Sequence, residues 1–486
     1  MSTVRKALFF SALGKYGEFG LFLLGTIVLS RLLSPKEIGI FAAANSIIAF
    51  AQTIRMFGTN DYLIQEKSLE VKDVRKALAV ASVLSWILAG LLAAFSSVIA
   101  NYFKEPLLQK VILLVAVSFL FLPISSTAHA RLSRDMKFGT ISIIGLLSAL
   151  TNLSVAIILA LNGFGALSIA WATFAANLAL LIATAVLAPH YMLVRPHFVD
   201  LKKVFTFGSW VTASSIIRNI GYNGYLLIIA RMLSFEALGL YMRAATIVER
   251  FTTILLDIIK SVALPSFAEI KRSGKPAGPA IMKTLALMAG CLWPVYAFVG
   301  LHAEPIVGLL FGDQWFDAVP VVQILAVSVV VSMNLPALLP TVLTAYGRVK
   351  IIFVFNVIMY ATRVVGVLLA VQHGLSAVAI AVTISSIVAV PLYVWVLKSM
   401  FNIPILDFIS THVRAGILTA LSLLPSLVFT AMGESEDWTY FAVLFFSGSS
   451  TFLIWIALSG FFIPAIADER RKGVANIYQK IQSFRR

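Results

Sequence analysis

The sequence predicts an all-α integral membrane protein of about fourteen transmembrane helices, with two pseudo-symmetric six-helix lobes followed by two C-terminal helices. Three observations predict it: composition, block length and the distribution of charge. Of 486 residues, 60% are hydrophobic and only 12% charged, about half the charge of an ordinary soluble domain. The apolar residues fall in blocks of about 20, the length that crosses a hydrocarbon core at 1.5 Å rise per residue. The basic residues, which leave a formal net charge of +16, stand in short clusters between those blocks. That placement fits membrane topology and not a nucleic-acid-binding patch.

The first six expected spans cover 8–33, 39–57, 77–99, 111–130, 140–161 and 166–187. The next six cover 205–233, 239–262, 281–300, 320–343, 351–371 and 377–397, and the last two 415–432 and 438–462. β-barrel spans would be shorter and alternate polar with apolar. Arg5 and Lys6 ahead of the first block mimic a signal peptide, but the block runs on to Leu33 without a small-residue cleavage site and reads as a retained span.

The loops support the same map. With the N-terminus inside, inner segments collect Lys67, Lys72, Arg75 and Lys76, then Arg131, Arg134 and Lys137, and later Lys271, Arg272, Lys275, Arg348 and Lys350. The C-terminal tail adds Arg470, Arg471, Lys472, Lys480, Arg485 and Arg486, and both termini are expected in the cytoplasm. Roughly 25 basic residues lie inside against 3 outside, as the positive-inside rule requires.

The chain also repeats itself. Residues 27–54 align with 227–254: Arg31, Leu33, Ser34, Gly39, Ala44, Ile47, Thr53 and Ile54 recur as Arg231, Leu233, Ser234, Gly239, Ala244, Ile247, Thr253 and Ile254. Pro123 has a partner in Pro336. The expected organisation is therefore an N-lobe (1–200, six helices), a C-lobe (201–400, six helices) and 401–486, two helices with a basic tail. Parallel duplications of this kind occur in transporters.

Charges inside hydrocarbon-length helices are costly and mark function. The first span holds Lys15 and Glu18, three apart, where they can pair. The seventh holds Arg218 with Asn219 and Asn223, and Arg218 falls at the repeat position of Glu18. In the eighth, Arg243, Arg250 and Asp257 are seven apart and share one face, with Glu249 nearby. Arg55 lies in the second span and Arg363 in the eleventh. Pairing between these groups to lock helices is the structural reading of each. As a group, however, cations outnumber the acids Glu18, Glu249 and Asp257, which calls for an anionic ligand or an aqueous vestibule. Arg suits phosphate through its planar fork of donors. Arg243, Arg250 and Arg218, then Lys15 and Arg55, are the expected diphosphate contacts. Glu18, Asn219, Asn223, Asp257, Glu249 and Arg363 are expected as polar or ion-paired residues of the cavity.

Other chemistry finds little support. Cys291 is the single cysteine, which excludes a disulfide framework. His129, His190, His197, His302, His373 and His412 lie mostly near span ends without metal spacing, and no metal or cofactor is expected. No Walker A sequence or zinc-protease motif occurs, and no catalytic residues are assigned. Pro123, Pro294, Pro336, Pro340 and Pro391 are expected to bend spans.

Several short stretches together carry a family resemblance. They are Arg31-Leu32-Leu33-Ser34-Pro35-Lys36-Glu37-Ile38-Gly39, Leu63-Ile64-Gln65, residues 131–138 and Phe207-Gly208-Ser209-Trp210. Further on come Leu238-Gly239-Leu240-Tyr241 with Ala244, Leu264-Pro265, Leu310-Phe311-Gly312 with Trp315, and Ala345-Tyr346-Gly347-Arg348. In order and spacing they resemble the polysaccharide-transporter, Wzx-type flippases of the multidrug/oligosaccharidyl-lipid/polysaccharide exporter superfamily. The resemblance implies a two-lobed bundle with a cationic central cavity in the bacterial inner membrane. It implies alternating access that carries a polyprenyl-diphosphate-linked oligosaccharide to the outer leaflet for exopolysaccharide, O-antigen or capsule assembly. Implied partners are that lipid-linked oligosaccharide, membrane lipids, and polysaccharide polymerase and chain-length or export proteins. Asn223-Gly224-Tyr225 stands near where relatives often carry an acid, which puts a simple carboxylate-based ion coupling in doubt.

Two alternatives stand beside it. Cation-coupled multidrug export in the same superfamily would favour buried acids over buried Arg. A membrane sugar polymerase or glycosyltransferase would need a large catalytic loop; the longest outer connection, 301–319, offers only Glu304, Asp313 and Asp317.

Overall fold

A computed structural model describes residues 3–66, 68–192, 196–198, 201–432, 440–468 and 470–471. Residues 433–439, Lys67, Arg195 and the tail from Lys472 onward lie outside the described residues, as do the side chains of 250–262. Among the described residues there is no strand. The chain divides into two compact units, Met1–Leu240 and Tyr241–Arg486.

The first unit contains α1 (Thr3–Leu32), α2 (Pro35–Met56), α3 (Thr59–Gln65), α4 (Val71–Phe103), α5 (Pro106–Ser118), α6 (Leu122–Arg134), α7 (Phe138–Leu161) and α8 (Ala166–Leu187). A short α9 (Pro189–Met192) precedes α10 (Lys202–Asn219), which runs through a π-turn at Ile220–Gly224 into α11 (Tyr225–Met232). The long α12 (Phe235–Arg272) begins in this unit and continues into the second. There follow α13 (Gly278–Leu301), α14 (Ala303–Leu310), a 3-10 turn at Asp313–Ala318, α15 (Val319–Val331), α16 (Leu335–Ala345), α17 (Val349–Ala370), α18 (Leu375–Phe401), α19 (Ile405–Met432) and α20 (Tyr440–Phe462).

Each of the fourteen expected segments falls on a helix or a broken helix. By length and apolarity ten helices can cross a membrane, or eleven if the bent pair α5–α6 is one span. The helices of the expected first, seventh and eighth spans, α1, α10 with α11, and α12, are not among them. They carry Lys15, Glu18, Arg218, Arg243, Arg250 and Asp257, and some of their side chains lie outside the described residues. Large apolar side chains such as Val186, Leu369, Leu406 and Phe461 stand exposed, as lipid-facing residues do.

Local sequence explains the helix ends. Ser34 caps α2: its Oγ accepts from Glu37 N at 3.3 Å, and Glu37 Oε2 accepts from Ser34 N at 2.8 Å, a capping box that satisfies two orphan donors. Its repeat mate Ser234 caps α12, accepting from Ala237 N at 3.0 Å. Five residues on from each cap stand Gly39 and Gly239, and the two segments cross there. A Cβ on Gly39 would fall on the Phe235 carbonyl oxygen, and a Cβ on Gly239 on the Pro35 carbonyl oxygen. Phe235 and Pro35 are themselves 200 apart, so the contact between the two matched segments is reciprocal.

Two helices are interrupted at matching places. The α5–α6 pair bends by 52° across 119–121, with Pro123 in the first turn of α6. The α15–α16 pair breaks at Met333 and Asn334, both left-handed, with Pro336 in the first turn of α16. Proline lacks the N–H that a continuing helix needs, and its fixed φ suits a helix start. Pro294, by contrast, sits inside α13, where it leaves the Gly290 carbonyl without its helical donor; Trp455 Nε1 of α20 supplies one at 2.7 Å.

Candidate functional site

In the first unit, unused polar capacity gathers around the α5–α6 break. Arg55 lies in the last turn of α2, where the helix dipole favours a cation. It is 4% exposed, its Cζ stands 5.6 Å from the Phe119 ring centroid, and its Nε has no hydrogen-bond partner. Phe119 is the first residue of the break. Ser118 ends α5, Ser125 lies in the opening turns of α6 and Ser85 lies on α4; all three hydroxyls are buried without a partner. Trp86, next to Ser85, donates to the Leu120 carbonyl freed by the break, at 3.1 Å. Buried polar atoms are normally paired. An arginine and three hydroxyls left with spare donors, beside the start of a half-helix, can receive an anionic oxygen.

Asn219 and Asn223 form a second polar contact in this unit. Asn219 Nδ2 donates to Ala49 O at 3.0 Å and to Thr53 Oγ1 at 2.7 Å, clasping α10 to α2. Asn223 Nδ2 donates to Asn219 Oδ1 at 3.0 Å and orients it. Asn219→Ala should lower stability by about 1 kcal/mol, a typical interhelical hydrogen bond in a membrane protein. Thermal unfolding, with Thr53→Val as the second arm of a double-mutant cycle, measures it.

Lys15 is exposed and Glu18 half-buried; no ion pair within 4 Å joins them among the described residues, but Lys15 lies near enough to act on the Glu18 carboxylate. Glu18 turns to α7, where its carboxylate occupies the space a Cβ on Gly145 would take. Arg218 is exposed, with Nη2 donating to Ser215 Oγ at 3.2 Å one turn back.

In the second unit, Arg243 is buried with its Nε unpartnered. Its Cζ stands 5.7 Å from the Phe311 ring and 5.6 Å from the Trp315 ring. Both aromatics come from the connection between α13 and α15, which is a compact helical segment here, with Trp315 wholly buried. The rings hold the guanidinium by their negative faces without neutralising it. Arg363 donates from Nε to Ser385 Oγ at 3.2 Å and lies 5.9 Å from the Tyr360 ring. Glu249 is exposed, as are Glu304, Asp313 and Asp317. The side chains of Arg250 and Asp257 lie outside the described residues.

Neither Arg55, Arg218 nor Arg243 is paired with a carboxylate among the described residues. The ion pairs Lys36–Glu105 (3.2 Å) and Lys72–Glu70 (2.8 Å) involve other cations near helix ends. Phe119 and the serines escaped sequence reasoning. Phe311 and Trp315 stood in a motif there, but with no role.

The architecture has close counterparts. The fold of Lipid II flippase MurJ in an inward closed conformation superposes with a TM-score of 0.76, covering 94% of this chain and 99% of that one at 14% identity. An inward-facing multidrug resistance MATE family transporter of the MOP superfamily superposes with a TM-score of 0.64, over 79% and 96% of the two chains at 13% identity. Fold and composition thus define a multi-pass helical membrane protein that shares the fold of those two structures.

The model of the polysaccharide biosynthesis protein family matches residues 28–320, more than half of the chain, which belongs to that family. It is similar to the succinoglycan biosynthesis transport protein ExoT of Rhizobium meliloti, 26% identical over 332 residues, 67% of this chain and 66% of that protein. It is also similar to the lipopolysaccharide biosynthesis protein WzxC of Escherichia coli, 27% identical over 364 residues and 71% of each chain. The teichuronic acid biosynthesis protein TuaB of Bacillus subtilis is 24% identical over 409 residues, 81% of this chain and 82% of its own. The Wzx-type resemblance is borne out.

Proposed function

We propose that this protein moves a polyprenyl-diphosphate-linked oligosaccharide repeat unit from the inner to the outer leaflet of a bacterial inner membrane, by alternating access, for exopolysaccharide or a related surface polymer. What supports the reading is two buried guanidinium groups, Arg55 and Arg243, each with an unpartnered Nε and no carboxylate partner among the described residues. Uncompensated cations in a low-dielectric setting attract a diphosphate strongly. The glycan would travel in water while the polyprenyl tail stays in lipid. Relatives named for succinoglycan transport and for lipopolysaccharide and teichuronic acid biosynthesis support the same class of cargo. The loop arginines and lysines support cytoplasmic termini. Polymerase and chain-length or export proteins are the partners that would consume the flipped unit.

The test is polymer export in cells lacking their own transporter. Arg55→Gln should lower export about tenfold or more, the equivalent of one charge-assisted hydrogen bond, at unchanged membrane level. Arg55→Lys should not restore it, since an ammonium lacks the fork. Full export by Arg55→Gln would remove Arg55 from the site. The likeness to the MATE transporter keeps drug export as a second reading; drug resistance that responds to Arg55 while polymer export does not would favour it.

A further inference from the structure

Two stretches singled out in the sequence, Leu63-Ile64-Gln65 and residues 131–138, have no role in the transport reading, and the structure joins them. Arg134, in the last turn of α6, donates from Nη1 to Leu63 O at 2.9 Å and to Ile64 O at 3.2 Å. Both carbonyls belong to the last turn of α3, where a helix has no donors of its own. With 7 residues α3 is too short to persist alone, so its place depends on what grips it. Tyr62 and Leu63 of α3 pack with Val74, Ala77 and Val80 of α4 and with Ala130 of α6. The end of α6 is itself fixed from another side. Arg131 donates from Nη1 to Tyr191 O at 2.8 Å and lies 5.0 Å from the Tyr191 ring, and the Tyr191 hydroxyl donates to Asp135 Oδ2 at 2.6 Å.

These contacts close a circuit around Arg55. Just beyond Arg55 the chain turns from α2 into α3 at Phe57 and Gly58, both left-handed, φ +40° and +61°. Glycine takes that conformation freely; a phenylalanine is strained in it and keeps it only while its surroundings hold it there. Phe57 packs against Phe205 with ring centroids 5.0 Å apart, and Thr59 Oγ1 donates back across the corner to Met56 O at 2.8 Å. At the other end of α6, 13 residues and so about 20 Å long, lies the break with Phe119, and the Arg55 guanidinium rests 5.6 Å from that ring. We propose that Arg134 is a positioning residue for Arg55. By holding α3 to the end of α6 it keeps the strained corner closed, and the corner sets where the Arg55 guanidinium stands relative to Phe119. Loss of the grip lets Phe57 leave the left-handed region and carries Arg55 off the ring. The functional weight of this rests on the reading of Arg55 as an anion contact, which a separate arm of the experiment tests.

The experiment is fluorine nuclear magnetic resonance of the full chain in lipid nanodiscs, with para-fluorophenylalanine in place of Phe119. Arg55→Gln identifies the shift that the guanidinium imposes on the ring. Arg134→Met, which keeps an apolar stem and removes the donors, should move the resonance in the same direction. Arg134→Lys, whose ammonium can still donate to both carbonyls, should return it towards the parent position. Lys72→Gln, at an exposed pair with Glu70, should leave it in place. If Arg134→Met fails to accumulate, Tyr191→Phe, which frees Asp135 and loosens the end of α6, is read instead and should give a smaller shift the same way. A brace for stability alone would lower the unfolding temperature without moving the resonance; that outcome overturns the proposal. The second arm is titration with inorganic diphosphate. Where the parent binds it, Arg134→Met should raise the Kd about tenfold, one hydrogen bond's worth, and an unchanged Kd overturns the proposal. No response from the parent counts against Arg55 as an anion contact, while the resonance without ligand still decides whether Arg134 positions it.

Discussion

Gly39→Ala should destabilise the first unit by about 3 kcal/mol or more, at the upper end of overpacking costs, and Gly239→Ala should do the same from the opposite side. Each added methyl would fall on a main-chain carbonyl oxygen, of Phe235 and Pro35 respectively. A side chain can swing aside; two helix starts fixed by their own serine caps cannot. The relief available is a backbone shift at the crossing, which would strip contacts from both segments. Gly90→Ala is the control, because nothing lies within 4 Å of a Cβ there and the residue is exposed on α4. It should be neutral or stabilising by about 1 kcal/mol, as for glycine in a helix interior. Thermal unfolding of the purified variants distinguishes the two cases. A Gly39→Ala protein as stable as the parent would mean that the crossing is loose.

His302→Leu should raise stability, and the gain should grow as the medium is acidified. His302 joins α13 to α14 and is completely buried. Its backbone is satisfied, donating to Phe298 O at 2.9 Å and accepting from Ile306 N at 3.0 Å. Both imidazole nitrogens lack a partner, and the ring rests on Phe298 at 4.5 Å. Burial pushes its pKa down to about 4. Unfolded histidine titrates near 6.5. Between those values the unfolded chain binds a proton that the folded chain refuses, so stability falls as pH drops through this window and levels off below it. An apolar residue of similar volume removes both the unsatisfied nitrogens and the linkage. The expected gain is about 1 kcal/mol at neutral pH and larger near pH 5. Unfolding temperatures of parent and variant across pH 7.5–4.5 measure it; parallel curves would show that His302 does not titrate with unfolding.

The fold was legible because hydrocarbon length and loop charge are written locally. Each expected segment lies on a helix, and the Arg31–Gly39 repeat lands at a real crossing. What sequence left open was how helices stop inside an apolar run. Pro123 and Pro336 were visible as bends, yet each proves to open a half-helix after a complete interruption. Asn334 just ahead of Leu335-Pro336 was the available signal for the second. The cations of the site were countable too, but their neighbours were not. Phe119 and Arg55 are far apart in the chain, as are Trp315 and Arg243, and apolar residues at such distances carry no mark of a charge resting on them. Glu18 has a further neighbour that spacing did not show: the room that Gly145 on α7 leaves for its carboxylate.

The aromatic seat of Arg243 has a consequence for the conditions under which the protein works. A cation balanced by a carboxylate loses its local field gradually as that acid forms or sheds its charge. A guanidinium gripped by Phe311 and Trp315 has no such dial. A guanidinium keeps its charge across the working pH range, so on the proposed reading the release of an anion bound near it would come from movement of the walls and not from discharge of the anchor.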